Sequence, residues 1–334
     1  MKCLVTGGGG FLGRYVVEQC LARGDSVTVL ARGDYPALAT AGARLIRGDL
    51  GDAETVSRAV QGQAVVYHVA ARAGFWGAYD DYYRPNVLGT EHVIDACRRH
   101  GVPKLVYTSS PSVVFGDAEQ SGVDESITYP AHYENPYSAT KALAEQRVLA
   151  ANGDGFLTCA LRPHLIFGPR DNHLLPRVIG RARQGKLIQV GDGQNRVDFC
   201  FVEDAARSHL LAADALTTGS PVAGSVYFIT QGEPVRLWPW LNEMLTALGI
   251  PPVRRAVSLP VARALGGTLE FVHRNLRLSG EPRLTRFLAS ELARDHWFDI
   301  GRARRELGYQ PRLSMAEATA CTVADLRKQG LGAS

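Results

Sequence analysis

The chain has 334 residues, is 46% apolar and carries a net charge of +4, with acidic and basic residues mixed throughout. This size allows one large α/β domain or two modest ones, and without a basic block we expect no nucleic-acid partner. No apolar run reaches the ~18 residues that span a bilayer, and a strand pattern begins at once, so we expect neither a transmembrane segment nor a signal peptide.

The N-terminal stretch predicts a strand, a glycine turn and a helix. Residues 2–6 are mostly apolar, four consecutive glycines follow from Gly7, and apolar residues at near-helical spacing begin with Phe11. Glycines at positions 8, 10 and 13 match G-x-G-x-x-G, and those at 7, 10 and 13 match G-x-x-G-x-x-G. A glycine motif between a strand and a helix indicates a dinucleotide site, in which pyrophosphate lies on the amides of the helix N-terminus.

Strands and helices continue to alternate up to about residue 170. The patterns predict strands at 26–31, 45–47, 64–69, 104–108 and 158–161, and helices at 53–60, 87–100 and 135–150. Such alternation is the signature of a doubly wound parallel sheet, the Rossmann arrangement, whose ligands bind beyond the carboxyl ends of the strands.

The second half of the chain is patterned more loosely. It predicts helices at 174–184, 203–215 and 238–248 and strands at 197–202 and 225–229. We therefore expect an NAD(P)-binding domain over 1–170, to which parts of 195–230 return, and a smaller, mostly helical substrate-binding domain over 171–334.

Tyr137 and Lys141 form Y-x-x-x-K on one predicted helix, so their side chains project from the same face. A cation one turn away favours the phenolate, and we expect it to lower the tyrosine pKa toward working pH. Ser110, at the end of the neighbouring strand, can hydrogen-bond the reacting oxygen. This trio suits proton transfer at an alcohol or ketone while a nicotinamide exchanges a hydride.

Cysteines and histidines indicate no metal site. The six cysteines form no C-x-x-C pair, and the nine histidines show no metal-ligand spacing. We therefore expect reduced core cysteines, a cytoplasmic protein and no bound metal.

At this point the chain resembles an extended short-chain dehydrogenase/reductase of the 3β-hydroxysteroid dehydrogenase-like branch. The resemblance lies in Thr6 to Gly13, Gly48 to Leu50, His68 to Ala71, Asn86 to Thr90, Tyr107 to Ser110, Tyr137 to Lys141 and Arg162 to Pro169. Residues 162–171 and 197–205 are similar to the sterol-4-carboxylate 3-dehydrogenases. Residues 32–38 and 71–80 are similar to the bacterial 2-alkyl-3-oxoalkanoate reductases of olefin biosynthesis.

The resemblance implies roles for particular residues. It implies catalytic roles for Ser110, Tyr137 and Lys141, and it leaves Asn86 open between a functional and a structural role. The implied cofactor-binding set is Gly7, Gly10, Phe11, Leu12, Gly13, Arg32, Asp49, Leu50, Ala70, Ala71, Tyr137, Lys141 and Pro163. The candidate substrate residues are Phe75, Trp76, Ser112, His164 and Leu165.

The residues at the end of the second strand favour NADPH over NAD as the cofactor. NAD-specific sheets place an acidic residue there to bind the ribose 2′-OH, whereas here Ala31 is followed by Arg32. A guanidinium can pair with a 2′-phosphate, so NADPH is favoured and NAD stays possible.

The substrate loop is aromatic. Phe75, Trp76 and Tyr79 follow the fourth strand, which favours a lipid-like small molecule. Sugar-nucleotide epimerases and dehydratases usually have polar residues where this chain has Leu165 and Phe167. We expect both residues on the substrate side, in a pocket near Phe75 and Trp76. We therefore expect an NAD(P)-dependent oxidoreductase acting on CH–OH groups, first on a 2-alkyl-3-oxoalkanoate, next on a 3β-hydroxysteroid or sterol, and last on a sugar nucleotide.

Two further expectations concern partners. The amphipathic region 257–278 leaves open a lid over an acyl chain or a weak contact with a membrane surface. The resemblance implies a homodimer in which helices 87–100 and 137–150 pair across a two-fold axis.

Overall fold

In the computed structural model, which describes residues 1–116, 118–153 and 155–331, seven parallel strands form the central sheet. In spatial order these strands are Ser225–Ile229, Leu157–Pro163, Lys104–Thr108, Val65–His68, Lys2–Thr6, Ser26–Ala31 and Arg44–Arg47. The predicted doubly wound parallel sheet is thereby confirmed, and the strand order reverses at Lys2–Thr6, where a dinucleotide site is expected.

Fifteen strands are described along the chain. In chain order they are Lys2–Thr6 (β1), Ser26–Ala31 (β2), Arg44–Arg47 (β3), Val65–His68 (β4), Lys104–Thr108 (β5), Gln120–Val123 (β6), Leu157–Pro163 (β7), Ile166–Phe167 (β8), Gln189–Val190 (β9), Arg196–Val197 (β10), Cys200–Phe201 (β11), Ser225–Ile229 (β12), Val235–Arg236 (β13), Ala256–Val257 (β14) and His296–Phe298 (β15). The order β13, β10, β15, β6 forms a second sheet of four short strands.

Thirteen α-helices are described between these strands. They are Phe11–Ala22 (α1), Pro36–Thr40 (α2), Ala53–Val60 (α3), Tyr79–Tyr83 (α4), Gly89–His100 (α5), Pro136–Ala150 (α6), Leu174–Arg183 (α7), Val202–Ala215 (α8), Leu237–Ala247 (α9), Leu259–Asn275 (α10), Arg286–Glu291 (α11), Gly301–Leu307 (α12) and Met315–Lys328 (α13). None of the described helices is long and apolar enough to cross a bilayer.

Two predicted elements are interrupted in the structure. The helix expected from residue 87 begins with a π-helical turn at Arg84–Leu88, which contains Pro85 and continues into α5. The strand expected over 197–202 is divided into β10 and β11, because Asp198 leaves the strand path to hydrogen-bond His164 and the amide of Phe298.

Apolar side chains cover both faces of the central sheet. On one face α1, α8 and α12 pack against strand residues such as Val5 and Val29; on the other α3, α5 and α6 pack against residues such as Leu4 and Leu105. Both faces are buried, which explains why the strands are apolar runs without alternation. A third core joins α7, α9 and α13.

The division into domains at 1–170 and 171–334 stays a prediction. What the structure shows is that β12, from the second half of the chain, pairs in parallel with β7. The second half therefore contributes the edge strand of the same sheet.

A buried ion pair attaches the helix of the Y-x-x-x-K motif to this sheet. Arg162 on β7 donates two hydrogen bonds to Glu145 on α6, at 2.6 and 3.0 Å, and both side chains are almost fully buried. Tyr129 donates a third bond to the same carboxylate at 2.6 Å. The pair therefore holds α6 in register with β7.

Removing the carboxylate should destabilise the protein strongly. Glu145→Ala leaves a buried guanidinium without its counter-ion, and we expect the free energy of unfolding to fall by about 3–5 kcal/mol. Arg147→Ala is the matched control on the same helix, since its ion pair with Glu91 is exposed and is worth less than about 1 kcal/mol. Denaturant unfolding of both variants measures this, and equal losses would contradict the role of the buried pair.

Candidate active site at the carboxyl ends of the strands

The glycine turn leaves no room for side chains between β1 and α1. Gly7 has a φ of +69°, and a Cβ there would lie 2.7 Å from the Cα of Ala70. A Cβ on Gly13 would lie 2.1 Å from the carbonyl oxygen of Gly7. Helix α1 starts at Phe11 after Gly10, which makes no side-chain cap, so the first amides of the helix can donate hydrogen bonds to a phosphate. The turn therefore fits the pyrophosphate of a dinucleotide.

The remaining predicted cofactor residues surround this turn. Asp49 is exposed after β3, where its carboxylate accepts from the amide of Gly51, and Leu50 is buried beside Gly89. Ala70 donates its amide to Thr6, and Ala71 is exposed after β4. Residues Leu12 and Pro163 lie in the first turn of α1 and at the end of β7.

Two arginines meet at the ends of β2 and β3. Ala31 pairs with Arg47 in the sheet, and the Arg47 Nε donates to the backbone oxygen of Arg32 at 3.2 Å. Among the described residues, neither arginine forms an ion pair with an acidic side chain. The Tyr35 ring lies directly against Gly9, where a Cβ would meet it at 2.0 Å. Arg47 and Tyr35 were missed from the sequence, because only the pairing of β2 with β3 brings Arg47 beside Arg32 and only the fold places Tyr35 against Gly9.

The structure brings Ser110, Tyr137 and Lys141 together. Ser110 follows β5, and its side chain lies close enough to Tyr137, in the first turn of α6, to act on the pKa of the phenol. Lys141, one turn further along α6, is buried and donates from Nζ to the backbone oxygen of Thr108 at 2.5 Å. The lysine also lies 4.1 Å above the Tyr107 ring.

The expectation that Lys141 lowers the pKa of Tyr137 is wrong for this structure. Burial raises the pKa of Tyr137, and the opposing influence is the hydrogen bond with Ser110. Burial also lowers the pKa of Lys141 to about 7, against the nearby charge of Glu145, which raises it. Near neutral pH Lys141 is therefore only partly charged, while Tyr137 is a phenol that can donate a proton.

Asn86 is a buried side chain that hydrogen-bonds neighbouring segments near the site. It is buried, its Oδ1 accepts from the amide of Arg72 at 2.7 Å, and its Nδ2 donates to Thr140 on α6 at 3.1 Å. The carbonyl of Asn86 also accepts from Thr90, which in turn hydrogen-bonds His68. These hydrogen bonds support the structural role of Asn86, which was left open beside a functional one.

An aromatic wall lies next to the tyrosine. The Phe75 ring is 6.0 Å from the Tyr137 ring and 4.8 Å from Phe287 on α11. Trp76 lies edge-on to His273 of α10 at 6.1 Å. Phe287 was missed from the sequence, because it is more than two hundred residues from Phe75 and no motif marks it.

A cavity of about 300 Å³ lies behind this wall. Its lining includes Phe115, Phe287, Asn135, Ser138 and Glu291. Burial raises the pKa of Glu291 to about 8, with the nearby Glu134 acting in the same direction, so the carboxyl group is mostly neutral at neutral pH. The cavity therefore places a mostly neutral carboxyl group beside aromatic rings, in a lining that also includes Glu134, Arg263 and Arg294.

The other predicted substrate residues are placed differently. Both ring nitrogens of His164 are engaged, Nδ1 with Asp198 at 2.5 Å and Nε2 with His296 at 3.1 Å. Ser112 is buried beside Ser110, and its hydroxyl has no hydrogen-bond partner among the described residues. Leu165 is half-buried with a φ of +38°.

Phe167 does not belong to the substrate side, contrary to the expectation. It is fully buried in the third core against Phe199, Phe201 and Trp240. From the short strand β8 its side chain packs against Trp240 of α9.

Potential metal ligands cluster at one place among the described residues, formed by Cys3, Cys20 and Asp25. Burial and the neighbouring Cys3 raise the pKa of the Cys20 thiol, so the thiol stays protonated. Asp25 is already bonded to the N-terminal ammonium and to Arg23. The chemistry of this group does not fit a divalent cation.

Known proteins are similar in sequence to nearly the whole chain. Residues 4–261 match the 3-beta hydroxysteroid dehydrogenase/isomerase family. A 2-alkyl-3-oxoalkanoate reductase of Stenotrophomonas maltophilia is 48% identical over 95% of this chain and 97% of its own. A decarboxylating sterol-4-alpha-carboxylate 3-dehydrogenase of Mus musculus is 36% identical over 96% of this chain and 90% of its own.

The fold is also found in a solved structure with a bound nicotinamide cofactor. MoeE5 in complex with UDP-glucose and NAD superposes with a TM-score of 0.76 at 28% identity, covering 98% of this chain and 99% of its own. The likeness extends over both halves of the chain, so the second half has a counterpart in that structure too.

Closing the glycine turn should weaken dinucleotide binding. In Gly13→Ala the new Cβ collides with the Gly7 carbonyl, and we expect the affinity for a nicotinamide dinucleotide to fall at least tenfold, with a stability loss of about 1–3 kcal/mol. Gly180→Ala, in helix α7, is the matched control, since its Cβ meets no atom within 4 Å. Fluorescence titration and thermal melting measure both effects, and an unchanged affinity in Gly13→Ala would refute the placement of the pyrophosphate.

Proposed function

Because the chain belongs to the 3-beta hydroxysteroid dehydrogenase/isomerase family, we propose that it reduces the 3-keto group of a 2-alkyl-3-oxoalkanoate to the 3-hydroxy acid, using NADPH. The chain is an oxidoreductase with a nicotinamide cofactor, and the proposal adds the substrate and the preferred cofactor. The observation that carries it is the Phe75 ring beside Tyr137, which puts an apolar surface where the reacting molecule must lie.

The residues of this chain provide the proton and the orientation for that reaction. When bound, the nicotinamide supplies a hydride to C3 of the ketone. Tyr137 donates its phenolic proton to the C3 oxygen, since its raised pKa keeps it protonated near neutral pH. Ser110 hydrogen-bonds the same oxygen and orients it. One hydride at carbon and one proton at oxygen convert the ketone into the alcohol.

A second candidate is a 3β-hydroxysteroid or sterol dehydrogenase. It is favoured by the relative from Mus musculus, whose identity of 36% extends over nearly the whole chain. A sugar nucleotide comes third, because the MoeE5 structure binds UDP-glucose on a similar fold. Against it, the side chains around Tyr137 on the substrate side are aromatic, with Phe75 and Phe287 in contact.

Parallel steady-state assays on a 2-alkyl-3-oxo acid, a 3-ketosteroid and UDP-glucose decide among these classes. We expect turnover of the acid with NADPH, and turnover of the steroid alone would overturn the acyl assignment.

Tyr137→Phe should lower kcat by about 10²–10⁴-fold while dinucleotide binding is retained, because it removes the proton donor and keeps the ring. Trp76→Ala should raise KM several-fold for whichever substrate is turned over.

The preference for NADPH rests on Arg32 and Arg47. We expect each single Arg→Gln substitution to lower kcat/KM for NADPH about tenfold, the value of one charge-assisted hydrogen bond, with little change for NADH. Arg58→Gln is the control, since Arg58 is exposed on α3 and pairs with Glu54. A higher kcat/KM with NADH than with NADPH in the unaltered protein would show that this assignment is incorrect.

A homodimer through α5 and α6 is part of the proposal. The outward residues of these helices, among them Asp95, Arg98, Gln146 and Ala150, are exposed and mostly polar, so the interface would be polar as well. Ala150→Glu should shift the sedimentation coefficient from dimer to monomer, whereas Ala39→Glu on α2 should not. A monomer at micromolar concentration of the unaltered protein would argue decisively against this assembly.

We also propose a cytoplasmic location. Cys3, Cys20, Cys97, Cys159 and Cys200 are buried free thiols, which fits a reducing compartment.

A further inference from the structure

The cavity behind the aromatic wall is lined by buried polar atoms that have no partner. Asn135, Ser138 and Gln120 are only 4%, 2% and 5% exposed, and all three line this space of about 300 Å³. Within the described parts of the chain, Asn135 Nδ2, Ser138 Oγ and Gln120 Oε1 form no hydrogen bond. A buried polar atom without a partner is costly, so three of them around one cavity indicate that a polar ligand binds there.

Two of these atoms lie at the start of the helix that carries Tyr137, and both can donate. Asn135 is the N-cap of α6, where its Oδ1 accepts from the amide of Ser138 at 2.8 Å. This bond fixes the orientation of the side-chain amide and leaves Nδ2, which can only donate, for a ligand. The hydroxyl of Ser138 can also donate, and the N-terminus of a helix of 15 residues favours negative charge. Gln120 Oε1 can only accept, so it does not bind an anion directly.

The charged side chains of the lining do not repel an anion as a group. Arg263 is bonded to Glu134 at 2.9 Å, and the lining also includes Arg294 and Asp295, so two positive charges match two negative ones. Burial raises the pKa of Glu291 to about 8, so its carboxyl group is mostly protonated at neutral pH and can donate a hydrogen bond. Donors therefore predominate around the start of α6.

The cavity adjoins the phenol of Tyr137. Tyr137 stands between Asn135 and Ser138 in the chain, at the same end of α6. Phe287 lines the cavity, and its ring is 4.8 Å from that of Phe75, which is 6.0 Å from the Tyr137 ring. In a 3-oxo acid a single carbon separates the carboxyl carbon from the ketone carbon. A ketone at Tyr137 therefore brings its carboxylate to this part of the site.

From these observations we propose that the cavity binds the carboxylate of the substrate through Asn135 Nδ2 and Ser138 Oγ. The protein thereby selects 3-oxo acids over ketones that lack a carboxylate. This assignment rests on the proposed function, to which it adds the group by which the substrate is recognised. Asn135 and Ser138 determine specificity in this scheme, while Tyr137 and Ser110 act on the ketone oxygen.

Binding measured without turnover tests the assignment. A 2-alkyl-3-hydroxy acid with short alkyl chains and its methyl ester are titrated calorimetrically into the protein saturated with the reduced dinucleotide, which cannot oxidise the alcohol. We expect the acid to bind about tenfold more tightly than the ester, because hydrogen bonds to a charged acceptor are the stronger ones. Equal affinities overturn the proposal, since the cavity then holds water rather than the carboxylate.

Two substitutions separate recognition from stability. Ser138→Ala should lower the affinity for the acid about tenfold and that for the ester much less, without lowering the melting temperature, because the hydroxyl has no partner to lose. Asn135→Asp keeps an N-cap oxygen for the Ser138 amide but replaces the donor by a negative charge, so it too should weaken binding of the acid. Ser220→Ala is the control, since Ser220 lies outside the lining. Equal losses for acid and ester in the cavity variants contradict the assignment.

The outcomes for this site and for the reaction are distinguishable. Tighter binding of the acid than of the ester, without reduction of the 3-oxo acid in the steady-state assay, supports the carboxylate site and refutes the proposed reaction. Reduction of the 3-oxo acid together with equal binding of acid and ester has the opposite meaning. A protein that binds neither ligand has no such carboxylate site.

Discussion

The Glu145 carboxylate connects α6, the helix of Tyr137 and Lys141, to the sheet and acts on the charge of Lys141. It holds Arg162 on β7 through two hydrogen bonds, and it lies one turn from Lys141 on α6. Lys141 is buried, which lowers its pKa, while the charge of Glu145 opposes that change. The position of α6 and the ionisation of Lys141 therefore depend on the same buried group. A rearrangement of this pair would disturb the geometry and the chemistry together.

The raised pKa of Tyr137 favours donation of a proton by this residue over removal of one. A tyrosine that stays protonated near neutral pH is ready to donate a proton, which suits the reduction of a ketone. In the proposed reaction, the aromatic contacts of Phe75 would select the kind of ketone that can approach. Phe75 lies beside both Tyr137 and Phe287, so the proposed substrate surface combines residues from the two halves of the chain.

Local motifs explain why the geometry of the glycine turn and the shared helix face of Tyr137 and Lys141 could be predicted. The glycine turn and Y-x-x-x-K act over thirteen residues or fewer, so their geometry follows from the strand or helix on which they stand. The prediction for Phe167 failed because a side chain on a two-residue strand can face either way, and packing against Trp240 decides the direction. The pKa of Tyr137 was misjudged because burial, which no spacing reveals, raises it, while Lys141 donates to the Thr108 carbonyl instead.

The sequence by itself determined the parallel sheet, the glycine turn and the shared helix face of Tyr137 and Lys141, because periodicity and spacing are local properties of the chain. Only the tertiary structure decided that Arg47 joins Arg32, that Phe287 completes the aromatic wall and that both nitrogens of His164 are occupied. Each of these contacts joins residues whose separation in the chain carries no signal. Strand pairing and core packing bring them together, and those depend on the whole fold.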